Sequence, residues 1–335
     1  MKLSLALICL TTFCTAWKQQ GVYFEKNFNW ATMEDDIIAA MDSGYNRIYI
    51  GFYMSIHGCQ GACLQWEQLS NQARQKVFNK AQSTDSKIYL SVGGEGEFVE
   101  NVWKNNETTT FGENAAKYAK SYGYHGIDFN IHLAGRSSVY SEFAASGDMI
   151  KFTSELVSCA KNEGWTREEL TVTAHAPYFS LYYVDGIESR TMAWVGMDKN
   201  EDEIFSVGDL HMMMFNEDQD YLSYEEMFIS NKFYNETDGT IGYGSSVQEI
   251  INLGVGCDKI AVVKPIYEDG FSIYSGYVEP EVLSDWMCKA KDEVVCSGVN
   301  GIDEFWHGGY VMWTWNSYNE DTYAWPSFLD ESSCE

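Results

Sequence analysis

The chain has 335 residues, with 22 Lys and Arg against 49 Asp and Glu, a formal net charge of −27; 45% of the residues are hydrophobic and only 4 are Pro. That composition excludes a disordered chain, a collagen and a coiled coil. Because no basic tract interrupts the negative charge, nucleic acids and anionic membranes are excluded as partners. The aromatic residues, 15% of the chain, are enough to build a large core or to line a groove for flat-faced ligands such as sugars.

Residues 1–16 are predicted to be a secretory signal peptide. Lys2 precedes an apolar stretch, and the small residues Cys14 and Ala16 have the spacing that signal peptidase requires. We expect cleavage after Ala16 to leave a secreted, extracellular mature chain of residues 17–335. No later apolar run approaches the roughly 18 residues of a membrane span.

Short β-like runs recur along the mature chain, with amphipathic helical stretches between them. The eight runs are Gly21–Phe24, Arg47–Phe52, Lys87–Val92, Gly126–Ile131, Leu170–Ala174, Leu210–Phe215, Lys259–Val263 and Gly309–Trp313. Their starts are 26 to 50 residues apart, which leaves room for one helix in each interval and is typical of repeated βα units. The pattern therefore predicts an α/β fold, a single-domain (β/α)8 TIM barrel over residues 17–335, with any site at the C-terminal ends of the strands.

Seven cysteines follow the predicted signal peptide, and an oxidising compartment favours their pairing. They are Cys59, Cys63, Cys159, Cys257, Cys288, Cys296 and Cys334. Cys59 and Cys63, four residues apart, are predicted to close a small loop, whereas the pairing of the other five stays open. Two sequons predict glycosylation at Asn106 and Asn235.

Four separated segments carry a resemblance to a known family. Residues 87–94 (KIYLSVGG) are similar to a strand-3 SxGG motif, and residues 125–132 (HGIDFNIH) to a strand-4 DGxDxDxE motif. Residues 259–283 and 309–313 resemble the strand-7 and strand-8 segments of the same family. The chain thus resembles the glycoside hydrolase family 18 chitinases and chitinase-like lectins, most closely the compact plant-type class, which implies a barrel with a sugar-binding cleft.

The resemblance also shows which catalytic groups are missing. That family uses a retaining, substrate-assisted reaction, in which a glutamic acid protonates the leaving oxygen and an aspartate and a tyrosine hold the N-acetyl group. The glutamate position is His132, the aspartate is Asn130 and the tyrosine is Phe215; the first aspartate of the motif is His125, and only Asp128 is retained. Loss of one electrostatic stabiliser costs about 100-fold to 1,000-fold in rate, so chitin hydrolysis is not expected.

Four residues are predicted to contact a ligand on the strength of the same resemblance. Trp313 matches the tryptophan that forms the floor under the central sugar, a role that needs a flat apolar face. Asp128 and Asn130 would supply polar contacts below it, and Tyr178, after the strand-5 run, would be a second aromatic at the rim. The alternative for each is packing inside the barrel.

Three histidines fall on adjacent strands: His132, His175 and His211. His211 precedes Phe215 by four residues on its strand, so it would lie about 13 Å lower in the barrel, and neither a metal site nor another cofactor is predicted. Lys264 ends the strand-7 run, either as a buried base with a shifted pKa or as a charge paired with an acid at the barrel mouth.

Three functions of different classes remain. The favoured one is a secreted chitinase-like lectin that binds N-acetylglucosamine-type glycans without cutting them. The second is a barrel repurposed as an enzyme on a small molecule, for example a secreted luciferase-type oxidoreductase, with His132, His175 and Lys264 as its polar groups. The third is a structural or partner-binding secreted protein. Ligand identity and oligomeric state stay open.

Overall fold

The structure is a computed structural model. It describes residues 17–25, 33–94, 97, 99–131, 148–180, 192–196, 206–215, 221–234, 241–266, 276–296, 304–315, 321–330 and 334. The predicted signal peptide, His132 and Asn235 lie outside these residues.

Eight parallel strands form the centre of the molecule. They are β1 (Gln19–Phe24), β2 (Arg47–Met54), β3 (Lys87–Gly93), β4 (Gly126–Ile131), β5 (Leu170–His175), β6 (Asp209–Met213), β7 (Ile260–Pro265) and β8 (Gly309–Trp313). Each strand pairs with the next along the chain, and β1 pairs with both β2 and β8, which closes the sheet. The predicted single-domain (β/α)8 barrel is confirmed.

Helices follow most of the strands and cover the outside of the barrel. They are α1 (Met33–Asp42), α2 (Gly61–Gln68), α3 (Asn71–Thr84), α4 (Val99–Lys104), α5 (Thr108–Ser121), α6 (Asp148–Asn162), α7 (Val247–Asn252), α8 (Pro280–Glu293) and α9 (Asp321–Phe328). Three short antiparallel ribbons add to them: Gly58–Cys59 on β2, Lys232–Tyr234 with Ile241–Tyr243, and Val295–Cys296 with Glu304–Phe305. Turns of 3-10 helix span Arg167–Glu169, Ala176–Phe179 and Met192–Gly196, and a π-helical turn spans Glu225–Ile229.

Side chains at the helix ends explain where several helices begin and stop. The Ser70 hydroxyl accepts a hydrogen bond from the Ala73 amide and starts α3, and Asp85 ends that helix in the left-handed conformation, with φ of 53°. A capping box of Ser246 and Glu249 starts α7. Pro280 occupies the first turn of α8, where its missing N–H costs nothing.

The apolar side chains form two separate clusters. The larger lies between the helices and the outer face of the barrel, and it contains the fully buried Trp66, Trp306 and Trp325. The smaller fills the barrel itself. Its members are Tyr23, Tyr49, Tyr89, Met213, Phe215, Ala261, Val263 and Val311, with Trp313 packed against them. A closed barrel filled in this way is a packed core rather than a pore.

Three disulfides lie among the described residues: Cys59–Cys63, Cys257–Cys296 and Cys288–Cys334. The first is the small loop that the sequence predicts. Cys159 belongs to none of these bridges and is buried. Burial raises the pKa of its thiol to about 11, so Cys159 is protonated and unreactive at neutral pH.

The sequon residue Asn106 is exposed in the turn between α4 and α5. Among the described residues, no helix combines the length and the apolar character that crossing a bilayer requires.

Candidate functional site

An aromatic floor lies at the C-terminal end of the barrel. Trp313, the last residue of β8, has its ring centroid 4.8 Å from Tyr23, 6.0 Å from Phe52 and 6.1 Å from Phe215. These four rings are called the floor cluster below. Tyr23, Phe52 and Phe215 are buried, whereas Trp313 is only half-buried. Trp313 is therefore the member of the floor cluster that can offer ring surface to a ligand.

The two glycines of the SxGG motif make room for this floor. A Cβ on Gly94 would lie 2.6 Å from the ring of Phe52, and a Cβ on Gly93 would lie 2.4 Å from the carbonyl oxygen of Asn130. Both glycines also have positive φ, 102° at Gly93 and 81° at Gly94, which other residues adopt at a cost. The motif thus serves close packing around Phe52 and β4.

A hydrogen-bond network holds Asp128 directly below the floor. Its Oδ2 accepts from the Ser91 hydroxyl at 2.7 Å and from the Tyr23 hydroxyl at 2.9 Å, and its Oδ1 accepts from Thr173 Oγ1 at 2.6 Å. Thr173 Oγ1 also lies 3.0 Å from His211 Nδ1. These five side chains are called the inner network below. Because Tyr23 belongs to both sets, the floor cluster rests on the inner network.

Asp128 is completely buried, and that burial raises the pKa of its carboxyl from an ordinary value of 3.8 to about 6, although the hydrogen bonds from Thr173, Ser91 and Tyr23 lower it in part. Burial and the neighbouring Asp128 also raise the pKa of the Tyr23 hydroxyl well above its usual range, so Tyr23 stays a proton donor. Asp128 is therefore a carboxyl that changes charge in mildly acidic solution.

This raised pKa predicts how stability depends on pH. A carboxyl whose pKa is higher in the folded chain favours folding below its unfolded pKa of 3.8, and this contribution is lost as pH rises through about 6. The free energy of unfolding of the wild type, relative to Asp128→Asn, should therefore fall by about 2 kcal/mol between about pH 4 and about pH 7. Chemical denaturation at each pH measures the difference.

A matched control uses an acid outside the barrel. Asp35 is exposed on α1, and Asp35→Asn removes a carboxyl without touching the inner network. A constant offset between wild type and Asp128→Asn across the same range would contradict the raised pKa, because any packing effect of the substitution is independent of pH.

Asn130 lies one layer above Asp128 on the inner face of β4, since alternate residues of a strand share a face. Its side chain is fully buried, and within the part of the chain that the structure describes, neither its Nδ2 nor its Oδ1 has a hydrogen-bond partner. Leaving a buried amide unpaired costs about 1 to 3 kcal/mol per group. An amide with an unused donor and an unused acceptor suits a ligand that carries both, such as another amide.

The remaining motif positions are distributed over both ends of the barrel. Phe215 is buried and packs near Trp313, with no hydroxyl to donate. His125 lies at the opposite end, before β4, where its Nδ1 accepts a 3.0 Å hydrogen bond from the Ile88 amide. Burial, followed by the charges of Lys87 and Arg47, lowers the pKa of His125. His125 is therefore a structural acceptor that lies away from the floor cluster.

Tyr178 differs from the expected rim aromatic. It is only 3% exposed and belongs to the larger apolar cluster. Its ring meets the ring of His175 edge-on at 5.9 Å, and His175 in turn lies 6.5 Å from Phe215. The 3-10 turn that follows β5 directs Tyr178 into the protein, so this aromatic supports the floor cluster from the side.

Lys264 is a buried residue near the end of β7. It is 1% exposed, and its Nζ donates to the carbonyl oxygens of Met214 at 2.8 Å and Tyr221 at 3.0 Å. These bonds tie β7 to the chain that leaves β6. Sequence reasoning missed this tie, because backbone carbonyls are present at every position and leave no signal in the residue pattern.

His211 lies in the lower half of the barrel, in register with Thr173, whereas His175 pairs with Met213 one layer higher. Burial, with smaller effects of Arg47 and Lys18, lowers the pKa of His211 to about 3, so this histidine is neutral. Within the described ranges, no group of three His, Cys, Asp or Glu side chains could hold a metal ion.

A closed (β/α)8 barrel with a half-buried tryptophan over a buried carboxylate has the architecture of the glycoside hydrolase class of barrels. The model of one family, Glycosyl hydrolases family 18, matches residues 17–333. The chain therefore belongs to glycoside hydrolase family 18. No curated protein sequence matches the chain.

Solved structures agree with this assignment. A GH18 chitinase from Pseudoalteromonas aurantia is 13% identical, with a TM-score of 0.65 over 93% of this chain and 100% of that one. A xylanase and α-amylase inhibitor protein, XAIP-I, in complex with trehalose is 16% identical, with a TM-score of 0.51 over 95% of this chain and 97% of that one. At these identities the likeness is one of fold.

Proposed function

We propose that this protein is a secreted, non-hydrolytic chitinase-like lectin that binds N-acetylglucosamine-type glycans in the cleft at the C-terminal end of its barrel. One observation carries the proposal: the half-buried Trp313 lies over the intact network of Asp128, while the residues that would transfer a proton and hold the attacking group are replaced. The site keeps groups that bind and lacks groups that catalyse.

Three replacements in the catalytic motif positions oppose hydrolysis. Asn130 carries no charge to stabilise a developing cation, and Phe215 has no hydroxyl to orient an N-acetyl group. In the sequence, His132 takes the position of the proton-donating glutamic acid, and an imidazole with an ordinary pKa of about 6.5 is mostly deprotonated in neutral fluid. The retained Asp128 is buried below the floor and does not reach a leaving group from there.

Trp313 and Asn130 favour glycan binding through shape and hydrogen bonding. The apolar face of a pyranose ring packs on a flat aromatic surface, and Trp313 supplies one. An N-acetyl group carries one N–H and one C=O, which complement the Oδ1 and Nδ2 of Asn130, both unpaired among the described residues. An N-acetylated sugar above Trp313 would therefore satisfy the buried amide of Asn130.

Two proteins of similar fold support the proposal. The Pseudoalteromonas aurantia protein is a GH18 chitinase. XAIP-I, which shares the fold, is a xylanase and α-amylase inhibitor that was crystallised in complex with trehalose. Barrels of this kind thus occur both in a chitinase and in an inhibitor that holds a sugar.

Secretion is part of the proposal, and three disulfides among the described residues support it because such bonds persist in oxidising compartments. We expect the protein recovered from the medium of a eukaryotic host to begin at Trp17 and to lose mass on deglycosylation. The Asn106→Gln variant should lose less mass than the wild type in the same treatment. N-terminal sequencing and mass spectrometry check both points. An intracellular product that still starts at Met1 would contradict the proposed route.

The proposal is tested by a glycan array run beside a small-molecule thermal-shift screen on the mature protein. Hits confined to chitooligosaccharides and related N-acetylated glycans support the lectin. Stabilisation by an aromatic heterocycle without glycan hits would overturn the proposal in favour of an enzyme that acts on a small molecule. An absence of hits in both screens would overturn it in favour of a structural or partner-binding protein.

A further inference from the structure

His211 has no part in the proposed glycan contacts, yet it is a fully buried polar residue in the middle of the barrel. Its Nδ1 lies 3.0 Å from Thr173 Oγ1, and its Nε2 lies 2.7 Å from Gln19 Oε1 and 3.2 Å from the Tyr49 hydroxyl. Thr173 connects it to Asp128. A continuous chain of hydrogen bonds therefore runs from Asp128 to Gln19.

Counting protons along this chain gives one arrangement when Asp128 is charged and accepts from Tyr23, whose hydroxyl also lies 2.7 Å from Thr173 Oγ1 and 3.4 Å from His211 Nδ1. A carboxylate only accepts, so the single hydroxyl proton of Thr173 goes to Asp128. His211 must then donate from Nδ1 to Thr173, and its bare Nε2 accepts from Tyr49. Because the single lone pair of Nε2 is used by Tyr49, the Gln19 amide turns so that its nitrogen donates to the Tyr49 oxygen, with which Oε1 is paired at 3.5 Å in the structure. This also gives a partner to a Gln19 Nε2 atom that otherwise has none among the described residues.

A neutral Asp128 gives the opposite arrangement. The carboxylic acid donates to Thr173 Oγ1, the Thr173 hydroxyl donates to His211 Nδ1, and the ring carries its proton on Nε2. From there it is donated to Gln19 Oε1 across the 2.7 Å contact. Each state satisfies both ring nitrogens, whereas a charged Asp128 with a proton on Nε2 would leave Nδ1 without the Thr173 donor.

We propose that His211 is a positioning residue for Asp128. The imidazole of His211 exchanges between its two neutral tautomers as Asp128 gains or loses a proton, so that the carboxyl below the floor can exist in either charge state within one fold. The balance is one added proton: the Nδ1 proton passes to Thr173 Oγ1, the former Thr173 hydroxyl proton passes to Asp128, and the proton gained from solvent is taken up at His211 Nε2. No bond between heavy atoms changes.

The surroundings favour tautomer exchange over charging of the ring. Burial lowers the pKa of His211 to about 3 and raises that of Asp128 to about 6, so between these values Asp128 titrates next to a neutral imidazole. Among the described residues, the polar groups that face the pair come from β1, β2, β3 and β5: Gln19, Tyr23, Tyr49, Tyr89, Ser91 and Thr173. Charged groups lie at the lower end of the barrel, namely Lys18, Arg47 and Asp209. The strands β7 and β8 contribute the apolar side chains of Ala261, Val263 and Val311.

Nuclear magnetic resonance tests the proposal on the intact mature protein. With 15N-labelled histidine and 13C-labelled aspartate, the protonated nitrogen of His211 should move from Nδ1 to Nε2 as pH falls, with the same midpoint as the Asp128 carboxyl signal. The other five of the six histidines are internal controls. Ring signals of His211 that stay constant while Asp128 titrates, or that become those of a charged ring, would overturn it.

Two substitutions at Gln19 separate positioning from mere packing. Gln19→Met removes the acceptor that the neutral state uses, so the Asp128 midpoint should fall by about half to one pH unit, which corresponds to one net hydrogen bond. Gln19→Glu supplies a stronger acceptor for Nε2–H and should raise the midpoint. Shifts in the same direction for both variants, or no shift in either, would contradict the proposal.

One further expectation rests on the proposed function. Glycan affinity should change with pH, and the midpoint of that change should equal the midpoint of the Asp128 titration. The two failures are distinguishable. Absence of glycan binding with an intact tautomer exchange rejects the lectin alone, whereas glycan binding with a fixed His211 tautomer rejects the positioning role alone.

Discussion

Restoring the missing catalytic groups together, by Asn130→Asp, His132→Glu and Phe215→Tyr, is expected to give chitooligosaccharide hydrolysis at least about 100-fold above the wild-type background, because each group supplies a separate part of the transition-state stabilisation. The first change would place a negative charge next to the developing cation, and the second would provide the proton. The third would add a hydroxyl that orients the N-acetyl group. Chromatography of the released sugars measures the rate.

Single changes serve as the controls. His132→Glu alone should stay at the wild-type background, since the groups that orient and stabilise the N-acetyl group are still absent and catalytic residues that act as a unit are strongly non-additive. Robust hydrolysis by the unmodified protein, at any pH from mildly acidic to mildly basic, would show that the replacements do not abolish catalysis.

Trp313→Ala is expected to weaken glycan binding about 5-fold to 150-fold. Removing a large apolar face from under a sugar costs about 1 to 3 kcal/mol, and each 1.4 kcal/mol or so is a tenfold change in the dissociation constant. Calorimetric titration of the folded variant measures the loss. Because the other three rings of the floor cluster are buried, they offer little face to replace Trp313.

Trp286 provides a matched control, since it is a half-buried tryptophan on α8, outside the barrel. Trp286→Ala should lose stability through its lost packing but keep the wild-type affinity. An unchanged dissociation constant in Trp313→Ala, with the fold intact by circular dichroism, would place the glycan site elsewhere on the molecule.

The strands are the most predictable part of this fold. A fully buried barrel strand appears in the sequence as a short apolar run, and two of the predicted runs, Gly126–Ile131 and Gly309–Trp313, match their strands at both ends. Others differ by one or two residues. The run Leu210–Phe215 is too long because Met214 and Phe215 are apolar yet follow the end of the strand at Met213, and hydrophobicity alone does not mark that end.

The site is predictable only where a residue type is rare or part of a motif. Trp313 and Asp128 can be assigned because they fall in segments with a recognisable spacing. The link from Asp128 through Thr173 to His211 cannot, because it joins three strands whose relative stagger the sequence does not specify. One signal is present: each of these polar residues interrupts an apolar strand, which marks a buried group that needs a partner.

Tyr178 shows the limit of inference from position in the chain. Its place after a barrel strand favours a role at the rim, but the direction of its side chain depends on the 3-10 turn of Ala176–Phe179, which carries it into the core. The pairing of Cys257 with Cys296 and of Cys288 with Cys334 likewise depends on how segments about forty residues apart meet in the fold.

Glycan binding without cleavage is tested most directly by calorimetric titration of the mature wild-type protein with tetra-N-acetylchitotetraose, followed by analysis of the sugar recovered from the calorimeter cell. We expect a saturable binding heat and intact tetrasaccharide. No binding heat up to millimolar concentration, or shorter sugars in the recovered solution, would contradict it.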